Sequence, residues 1–309
     1  MLALHTIQLN SFLGLCPETQ VKEKKMEYYK IQLVAIVSLM IVLPNTQGWG
    51  EDGHAIICRI AQSRLSDSAA NAVKNLLPEY AQNDLGNVCS WADRVRFYLH
   101  WSAPLHFADT PDNLCNYQYD RDCKDQDGVK GRCVVGAIKN YTDQLLDYGK
   151  NTQNNLTQAL MFLSHFMGDV HQPLHVGFTS DRGANSINVH WYTRKQNLHH
   201  VWDVNIIETA EERFYDSNID EFTNAIQENI TKTWSDQVLG WETCDSKETA
   251  CPDIYASEGV QAACQWAYKG APEGSVLEDD YFLSRLPVVS LRLAQGGVRL
   301  AATLNRIFG

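Results

Sequence analysis

Apolar side chains recur at helical spacing over most of the chain. Val134–Tyr148 shows this pattern, and so does the C-terminal segment Tyr281–Phe308, in which Leu293 and Leu300 lie two turns apart. A third segment, Thr157–Val170, is apolar on nearly every side, which is typical of a central, fully buried helix. The pattern therefore predicts a mainly α protein.

Two segments depart from the helical pattern. Thr110–Arg132 is polar, carries two cysteines and is followed directly by a third, Cys133, so we predict a disulfide-stapled loop there. Ser186–Thr193 alternates between apolar and polar residues, as a short hairpin strand does. Within the C-terminal helix, Gly296 and Gly297 predict a point of close packing. No strand–helix–strand repetition and no linker divides the sequence, so we expect a single-domain bundle of helices.

The N-terminal segment is predicted to lie outside this domain. Residues 31–43 are apolar and uncharged, a run that is short for a membrane span and typical of a secretory signal peptide. The small residues Thr46 and Gly48 favour cleavage before Trp49. We therefore expect three parts, an upstream extension of uncertain origin (residues 1–25), a signal peptide (residues 26–48) and the mature domain (residues 49–309).

The acidic composition argues against one class of function. The formal net charge is −11, and because the leader holds four lysines and three glutamates, the domain alone is close to −12. Such a domain is poorly suited to nonspecific binding of duplex DNA through a basic face. Taken alone, the charge disfavours a nuclease, although bound cations would reverse the local field.

The cysteines indicate an oxidising compartment. Eight follow the leader, and this even number predicts four disulfide bonds in a protein of the secretory pathway, delivered to the cell exterior, a vacuole or an endomembrane store. Eight cysteines allow 105 pairings, so the sequence alone leaves their connectivity open. Three Asn-x-Thr sequons are candidate glycosylation sites, at Asn140, Asn155 and Asn229.

Two histidine–aspartate pairs share one spacing. His165 and Asp169, on the predicted central helix, are four residues apart, and so are His199 and Asp203. This spacing puts both side chains of a pair on one helix face. With His175 nearby, the groups are those that zinc prefers, and a catalytic zinc site keeps one position open for water. From spacing alone, an ordinary structural hydrogen bond within each pair stays an open alternative.

Five short motifs surround these residues in a fixed order. They are Trp49-Gly50-x-x-Gly53-His54, Trp91-Ala92-Asp93, His106-Phe107-x-Asp109-Thr110-Pro111, SHFMGDVHQPLH from Ser164 to His175, and NLHHVWD from Asn197 to Asp203. In order and spacing they resemble the zinc-ligand motifs of the S1/P1 nuclease family, and most closely those of its plant endonucleases. The resemblance covers Trp49 to Gly309. It implies a phospholipase C/P1 nuclease-like bundle around a buried trinuclear zinc cleft.

The resemblance implies nine ligands for three zinc ions. They are Asp93, His106, His165 and Asp169 for the first ion, His175, His199 and Asp203 for the second, and Trp49, His54 and the shared Asp169 for the third. Trp49 would bind through its α-amino nitrogen and carbonyl oxygen. That amine is free only after the leader is cut, and it must lose its proton to bind zinc. We therefore expect an uncut chain to lack a complete site.

The same resemblance implies catalytic and substrate-binding roles. Asp93 would orient or activate the attacking water, and Arg96 would contact the transition-state phosphate. Phe107 would stack on a base whose edge Asp109 binds, and stacking favours single strands because the base must first be unstacked. A surface position for Arg96 and core packing for Phe107 are the alternatives that the residues themselves leave open.

One position departs from the family pattern. Asn185 is implied as a substrate contact within Gly183-Ala184-Asn185, where family members commonly have a second glycine in place of Ala184. The extra methyl group puts substrate affinity or specificity in doubt, but not the ligands. The family's disulfide bonds correspond here to Cys58–Cys89, Cys115–Cys264, Cys123–Cys133 and Cys244–Cys251.

The implied function is hydrolysis of single-stranded DNA and RNA to 5′-phosphorylated products, with 3′-nucleotidase activity on nucleotides as an extension. We expect a monomer with no stable membrane association. A zinc-dependent phospholipase C is one alternative, but glutamate is expected there in place of Asp203. A non-catalytic secreted zinc-binding protein is the other, and the presence of all nine ligands argues against it.

Overall fold

The structure, a computed structural model, describes residues 48–245 and 248–309 as a bundle of helices with one small sheet. The prediction of a mainly α, phospholipase C/P1 nuclease-like fold is confirmed. The predicted upstream extension and all but the last residue of the predicted signal peptide lie outside the described residues.

The helices and strands follow one another in this order. The α-helices are α1 (Glu51–Gln62), α2 (Asp67–Leu76), α3 (Gly86–Cys89), α4 (Trp91–Val95), α5 (Tyr119–Asp122), α6 (Val134–Leu145), α7 (Leu156–Asp169), α8 (Leu198–His200), α9 (Ile206–Phe214), α10 (Ile219–Thr231), α11 (Val238–Glu242), α12 (Pro252–Ala262) and α13 (Asp279–Phe308). Turns of 3₁₀-helix cover Glu79–Ala81, His100–His106 and Pro173–Val176, π-helical turns cover Val201–Asn205 and Ala263–Ala267, and the strands are β1 (Asn188–Trp191), β2 (Arg194–Asn197) and β3 (Val276–Leu277).

Helix α7 is the central buried helix that the sequence predicts. The side chain of Asn155 caps it by accepting a hydrogen bond from the backbone N–H of Gln158, and every residue from Ala159 to Asp169 is buried. Phe162 and Phe166 stack one turn apart, and each such buried ring contributes about 2 kcal/mol of hydrophobic stabilisation. The helix therefore carries its polar residues into a rigid, water-excluding interior.

The long terminal helix α13 packs closely on α1. A Cβ atom on Gly297 would lie 2.5 Å from Cγ2 of Ile60, and one on Gly296 would lie 3.1 Å from Cδ1 of Ile57. The predicted close-packing point is confirmed, because only residues without a side chain allow this approach. Helix α1 also packs closely on the central helix, since a Cβ on Gly168 would lie 2.6 Å from Nδ1 of His54 and 3.5 Å from Cδ1 of Ile57. Helix α1 is therefore in close contact with both α13 and α7.

A buried polar network holds the turn that follows α7. Nδ1 of His171 bonds to the carbonyl oxygen of Met167, and Nη1 of Arg299 lies 3.0 Å from Nε2 of the same ring. Burial and the charges of Arg292 and Arg299 keep the pKa of His171 well below its ordinary value, so the ring is neutral and Nε2 accepts. Glu258 accepts hydrogen bonds from both arginines and compensates their charges.

The sheet is larger than the sequence predicts. Strand β1 lies within the predicted Ser186–Thr193 strand and forms an antiparallel hairpin with β2, in which His190 is opposite Lys195. It also pairs in parallel with β3, a strand that the hydrophobic pattern did not indicate. Two residues are too few to show alternation.

Other boundaries also differ from prediction. Helix α6 ends at Leu145, before the predicted Tyr148, and Gly149 follows it with a φ of +78°. The interpretation of Thr110–Arg132 as a loop was incomplete, because α5 lies within it. Disulfide bonds staple this region and others, and they are the pairs that the resemblance implied, Cys58–Cys89, Cys115–Cys264, Cys123–Cys133 and Cys244–Cys251.

Among the described residues, no helix combines the length and hydropathy that a membrane crossing requires. The three sequon asparagines differ in exposure, since Asn140 and Asn155 are exposed and Asn229 is half-buried.

A buried carboxylate in α9 predicts a pH-dependent stability. Burial, and then the charges of Asp52 and Glu208, raise the pKa of Glu211 from 4.5 to about 7. Between these two values the unfolded chain has lost a proton that the folded chain keeps, so the free energy of unfolding falls as pH rises through this window. Replacing Glu211 with glutamine should remove the fall and leave the variant about 1–2 kcal/mol more stable than wild type at pH 8, after allowance for solvent screening.

Denaturant unfolding at pH 5 and pH 8 measures this difference. Glu212 is exposed beside Glu211, so Glu212→Gln is the matched control and should retain the wild-type fall in stability between pH 5 and pH 8. An equal stability difference between Glu211→Gln and wild type at both pH values would contradict the prediction.

Candidate metal centre

The site is built on the C-terminal half of α7. His165 and Asp169 are fully buried and project from one helix face. The His54 ring, from α1, stacks on the His165 ring with centroids 4.0 Å apart. Asp93 comes from α4 and His106 from the end of the 3₁₀ turn that follows it. The centre therefore joins four separate parts of the chain at one buried helix.

Donor atoms of these residues lie close together around Asp169. Its Oδ2 atom is 3.1 Å from Nε2 of His165 and 3.0 Å from Nδ1 of His106, whereas its Oδ1 atom is 3.4 Å from Nε2 of His54. Oδ1 of Asp93 lies 3.6 Å from the His106 nitrogen and 3.7 Å from the His165 nitrogen. One carboxylate thus faces two groups of donors at once, which fits a ligand shared between two ions.

A second group of donor residues comes from the turn after α7 and from the helical segment that follows β2. Nε2 of His199 is 3.2 Å from Oδ2 of Asp203, and Nε2 of His175 is 3.9 Å from Oδ1 of the same carboxylate. Asp203 lies in the π-helical turn Val201–Asn205, a distortion that is frequent at functional sites. The three side chains are buried and converge on one point.

The spacing of the donor atoms fits zinc. In a tetrahedral site with bonds of 2.0–2.1 Å, neighbouring ligand atoms are about 3.3 Å apart. Three groups among the described residues bring their donor atoms within 4.8 Å of one another, which suits such an ion: His54 with His165 and Asp169, Asp93 with His106 and His165, and His175 with His199 and Asp203.

Unsatisfied hydrogen-bonding capacity supports the same interpretation. Among the described residues, 18 buried side-chain nitrogen or oxygen atoms have no hydrogen-bond partner, and eight of them belong to these ligand candidates. Buried polar atoms without partners are costly, and a cation would satisfy those of the eight that face it.

Backbone carbonyls orient three of the histidines. The Nδ1 atoms of His165, His175 and His199 bond to the carbonyl oxygens of Cys89, His106 and Gly183, respectively. This arrangement leaves each Nε2 atom facing the centre, as is usual for histidines that bind a metal. The Cys58–Cys89 disulfide bond therefore contributes to the site, because it fixes the position of Cys89, whose carbonyl oxygen orients His165.

Burial and charge set the protonation of the donors. Burial lowers the pKa of His54 to about 4 and that of His199 to about 3, so both are neutral, as zinc ligands must be. Burial also opposes a charge on His165, but the carboxylates of Asp169 and Asp93 outweigh it and raise its pKa to about 9. A divalent cation between the same carboxylates would replace that proton.

The start of the described chain lies against the centre. Trp49 is fully buried, and the N–H of Gly50 donates to the carbonyl oxygen of Asp203 over 2.7 Å. A Cβ atom on Gly48 would overlap Oδ1 of Asp169 and lie 2.9 Å from Nε2 of His54. The structure therefore places the Gly48–Trp49 peptide beside the third group of donors.

The residues with implied catalytic and substrate-binding roles are close in sequence to ligands of the centre. Nη1 of Arg96 is 3.6 Å from Oδ1 of Asp93, and this side chain is largely buried rather than on the open surface. Phe107 directly follows His106 and is half-buried, so it is not a core residue. Asp109 is half-buried too, and burial raises its pKa to about 6.

Ala184, the departure from the family pattern, lies in the interior of the loop that holds Asn185. Gly183 and Ala184 both have positive φ values, +62° and +66°, a conformation that costs alanine roughly 1–2 kcal/mol. The methyl group of Ala184 is buried and points away from solvent, so it is not an exposed obstacle. Nδ2 of Asn185 bonds to the Arg182 carbonyl oxygen, and its Oδ1 atom has no partner among the described residues.

Sequence reasoning missed one polar residue of the centre. Nε2 of Gln172 donates to Oδ1 of Asp203, and its Oε1 atom accepts from the N–H of Leu174. Gln172 thereby ties the turn after α7 to the second donor group. Its place within SHFMGDVHQPLH is the signal that could have singled it out.

The fold and the site define a class of protein, helical proteins with a buried cluster of side chains that can bind metal. A family model described as S1/P1 nuclease matches residues 49–309. Endonuclease 2 of Arabidopsis thaliana is 63% identical over 283 residues, which cover 90% of this chain and 97% of that protein.

Fungal relatives match at greater distance. Nuclease S1 of Aspergillus oryzae is 33% identical over 85% of this chain and 92% of its own length, and nuclease P1 of Penicillium citrinum is 32% identical over 84% and 98%. The chain belongs to the S1/P1 nuclease family and is a hydrolase that acts on nucleic acid. This family depends on zinc, and the donor groups described above fit that metal.

Proposed function

We propose that this nuclease is a zinc-dependent endonuclease of single-stranded DNA and RNA that releases 5′-phosphorylated products. We propose 3′-nucleotidase activity as part of the same chemistry. The observation that carries the proposal is the set of three buried donor groups at zinc spacing, two of which share His165. Family membership supports the reaction class, and the half-buried ring of Phe107 supports the preference for unstacked bases.

Assigning one zinc ion to each group of donors gives three zinc ions per chain. Asp93, His106, His165 and Asp169 would bind the first ion, His175, His199 and Asp203 the second, and Trp49, His54 and Asp169 the third. Zinc lowers the pKa of bound water towards about 7 and polarises phosphoryl oxygens, so it supplies both the nucleophile and the electrophilic assistance.

The protein's own side chains position the substrate around that centre. Asp93 has an oxygen without a hydrogen-bond partner in the described part of the chain, and it would accept a hydrogen bond from the attacking water. Arg96, next to it, would place its guanidinium group against the phosphate and offset the charge that builds up in the transition state.

Phe107 and Asp109 would bind a base of the substrate. The ring of Phe107 would stack on any base, because stacking does not read base identity. With a pKa of about 6, Asp109 is a carboxylate above that pH and accepts a hydrogen bond from a base edge, whereas below it the protonated acid can donate one. Asn185 would add a polar contact through its unpartnered Oδ1 atom.

The chain's processing and location are part of the proposal. The four disulfide bonds support folding in the secretory pathway, with cleavage after Gly48 and delivery to the cell exterior, a vacuole or an endomembrane store. Asn140, Asn155 and Asn229 would carry glycans. The mature protein would be a monomer without stable membrane association.

A panel of substrates tests the proposed reaction. The mature chain, with its N-terminus verified at Trp49, is given single-stranded DNA, RNA, duplex DNA and phosphatidylcholine, each with and without a chelator. We expect chelator-sensitive cleavage of both single strands, products with 5′-phosphates, and slow cleavage of duplex. Hydrolysis of phosphatidylcholine alone would point to a phospholipase C, and no turnover with full zinc content would point to a non-catalytic zinc protein.

A further inference from the structure

One segment leaves the metal centre and returns to it. Residues 94–105 separate Asp93 from His106, and Oδ1 of Asp93 lies 3.6 Å from Nδ1 of His106. Both ends of the segment are therefore fixed at the same point of the centre. Nη1 of Arg96 is 3.6 Å from Oδ1 of Asp93, and its guanidinium lies beside the Phe97 ring, so this part of the segment is at the rim of the proposed active site.

This segment exposes an unusual share of the aromatic side chains. Tyr98 is 84% exposed, Phe97 50% and Trp101 45%. They are three of the six large aromatic residues that are exposed in residues 48–245 and 248–309. Clustered apolar exposure of this kind marks an interaction site in a protein that is otherwise well packed.

Contacts with the rest of the protein hold two of the three rings in place. The Arg96 guanidinium lies 5.4 Å from the centre of the Phe97 ring, within cation–π range. Trp101 contacts the core, with its ring 5.7 Å from that of Phe162, and its carbonyl oxygen accepts a hydrogen bond from Arg132. Ordering a ligand on fixed rings costs less than ordering it on mobile ones.

Charge identifies the kind of ligand. Residues 94–105 include Arg94, Arg96 and His100 and contain no aspartate or glutamate, although the net charge of the chain is −11. Arg96 is paired with Asp93, and Arg94 lies 3.7 Å from Glu51 but keeps half of its side chain exposed to a ligand. Basic and aromatic residues interleaved on one surface are typical of sites that bind single-stranded nucleic acid, in which cations follow the phosphates and rings stack on bases.

We propose that Phe97, Tyr98 and Trp101 form a rim stacking surface, which binds bases of a single strand beyond the nucleotides held at the metal centre. The inference rests on the proposed function and deepens it, because it makes the enzyme prefer long strands to dinucleotides. A dinucleotide is too short to reach the rim, so its hydrolysis does not depend on these rings.

The test compares substrates of two lengths. In the mature, zinc-loaded protein, Tyr98→Ala should raise KM for a single strand of about 20 nucleotides roughly tenfold or more, since each stacked base contributes that much affinity. Neither kcat for that strand, nor kcat/KM for a dinucleotide, nor zinc content should change. Tyr80 is 61% exposed in a different segment, so Tyr80→Ala is the matched control and should leave both substrates unaffected.

Conservative replacement separates stacking from folding. Tyr98→Phe retains the ring and should retain the wild-type KM for the long strand. An unchanged KM for the long strand in the alanine variant would overturn the proposal, and so would an equal loss on both substrates.

Binding measurements separate failure of the rim stacking surface from failure of the proposed function. Loss of binding to phosphatidylcholine vesicles in the alanine variant, with the affinity for strands unchanged, would overturn the proposal in favour of a lipid-binding surface. If wild type cleaves neither substrate, the proposed function fails. Fluorescence anisotropy with the long strand still tests the rim surface in that case, and equal affinity of wild type and alanine variant would overturn it.

Discussion

Replacement of Asp169 by asparagine is expected to lower kcat/KM on single-stranded DNA by roughly a thousandfold or more. The two oxygens of this carboxylate face different donors, Oδ2 facing His165 and His106 and Oδ1 facing His54. An amide removes the negative charge from both groups and turns an N–H donor towards one of them. Steady-state kinetics and zinc analysis of the same preparation measure the effect.

The zinc content should fall together with the activity. At least one ion should be lost per chain, because a neutral amide is a weak ligand for a metal that selects carboxylate and imidazole. Asp143 is an exposed aspartate on α6, and Asp143→Asn is the control that should keep full zinc and full activity. An Asp169→Asn enzyme with wild-type zinc content and wild-type kcat/KM would show that Asp169 is not a shared ligand.

An intact Gly48–Trp49 peptide bond is expected to lower activity by about a hundredfold or more and to leave two zinc ions per chain in place of three. An amide nitrogen has no lone pair available for zinc, unlike the free amine of Trp49 after cleavage. Gly48 itself also lies against Asp169 and His54, because a Cβ atom at that position would overlap the Asp169 carboxylate. The leader would thus keep the nuclease inactive until it is removed.

A matched pair of chains measures this effect. One begins at Trp49, and the other carries a non-cleavable extension that ends in Gly48. Mass spectrometry of each N-terminus, zinc analysis and cleavage of single-stranded DNA are compared. Equal zinc content and equal activity would remove the amine of Trp49 from the ligand set.

Local patterns in the sequence predicted the elements that position the site. An apolar stretch with His165 and Asp169 four residues apart specifies a buried helix with both side chains on one face, because helical geometry alone decides this. Gly296-Gly297 likewise predicted the contact of α13 with α1, since only small residues permit it.

These local patterns could not predict contacts between residues far apart in the sequence. Strand β3 has two residues and pairs with β1 from far along the chain, so no local periodicity marks it. The bond from Gln172 to Asp203 and the contact of Arg299 with His171 join separate elements. Spacing also could not show which donors share an ion. The resemblance supplied that arrangement, and the distances around Asp169 fit it.

Net charge was a misleading guide to function. The acidic composition, taken alone, disfavoured a nuclease, because the overall charge does not distinguish surface carboxylates from buried ones. Asp93, Asp169 and Asp203 are buried among histidines, where they would hold cations that attract phosphate. In the proposed mechanism, the field that a substrate meets is set by that centre and by Arg96, not by the average over the surface.

The most direct test of this account is a zinc titration of the mature chain. Zinc is removed stepwise with a chelator and then restored, and zinc per chain and cleavage of single-stranded DNA are measured in each sample. We expect three zinc ions per chain at full activity, loss of activity as the content falls below three, and recovery when zinc is returned. Full activity in zinc-free protein, or no activity at three zinc ions per chain, would contradict the account.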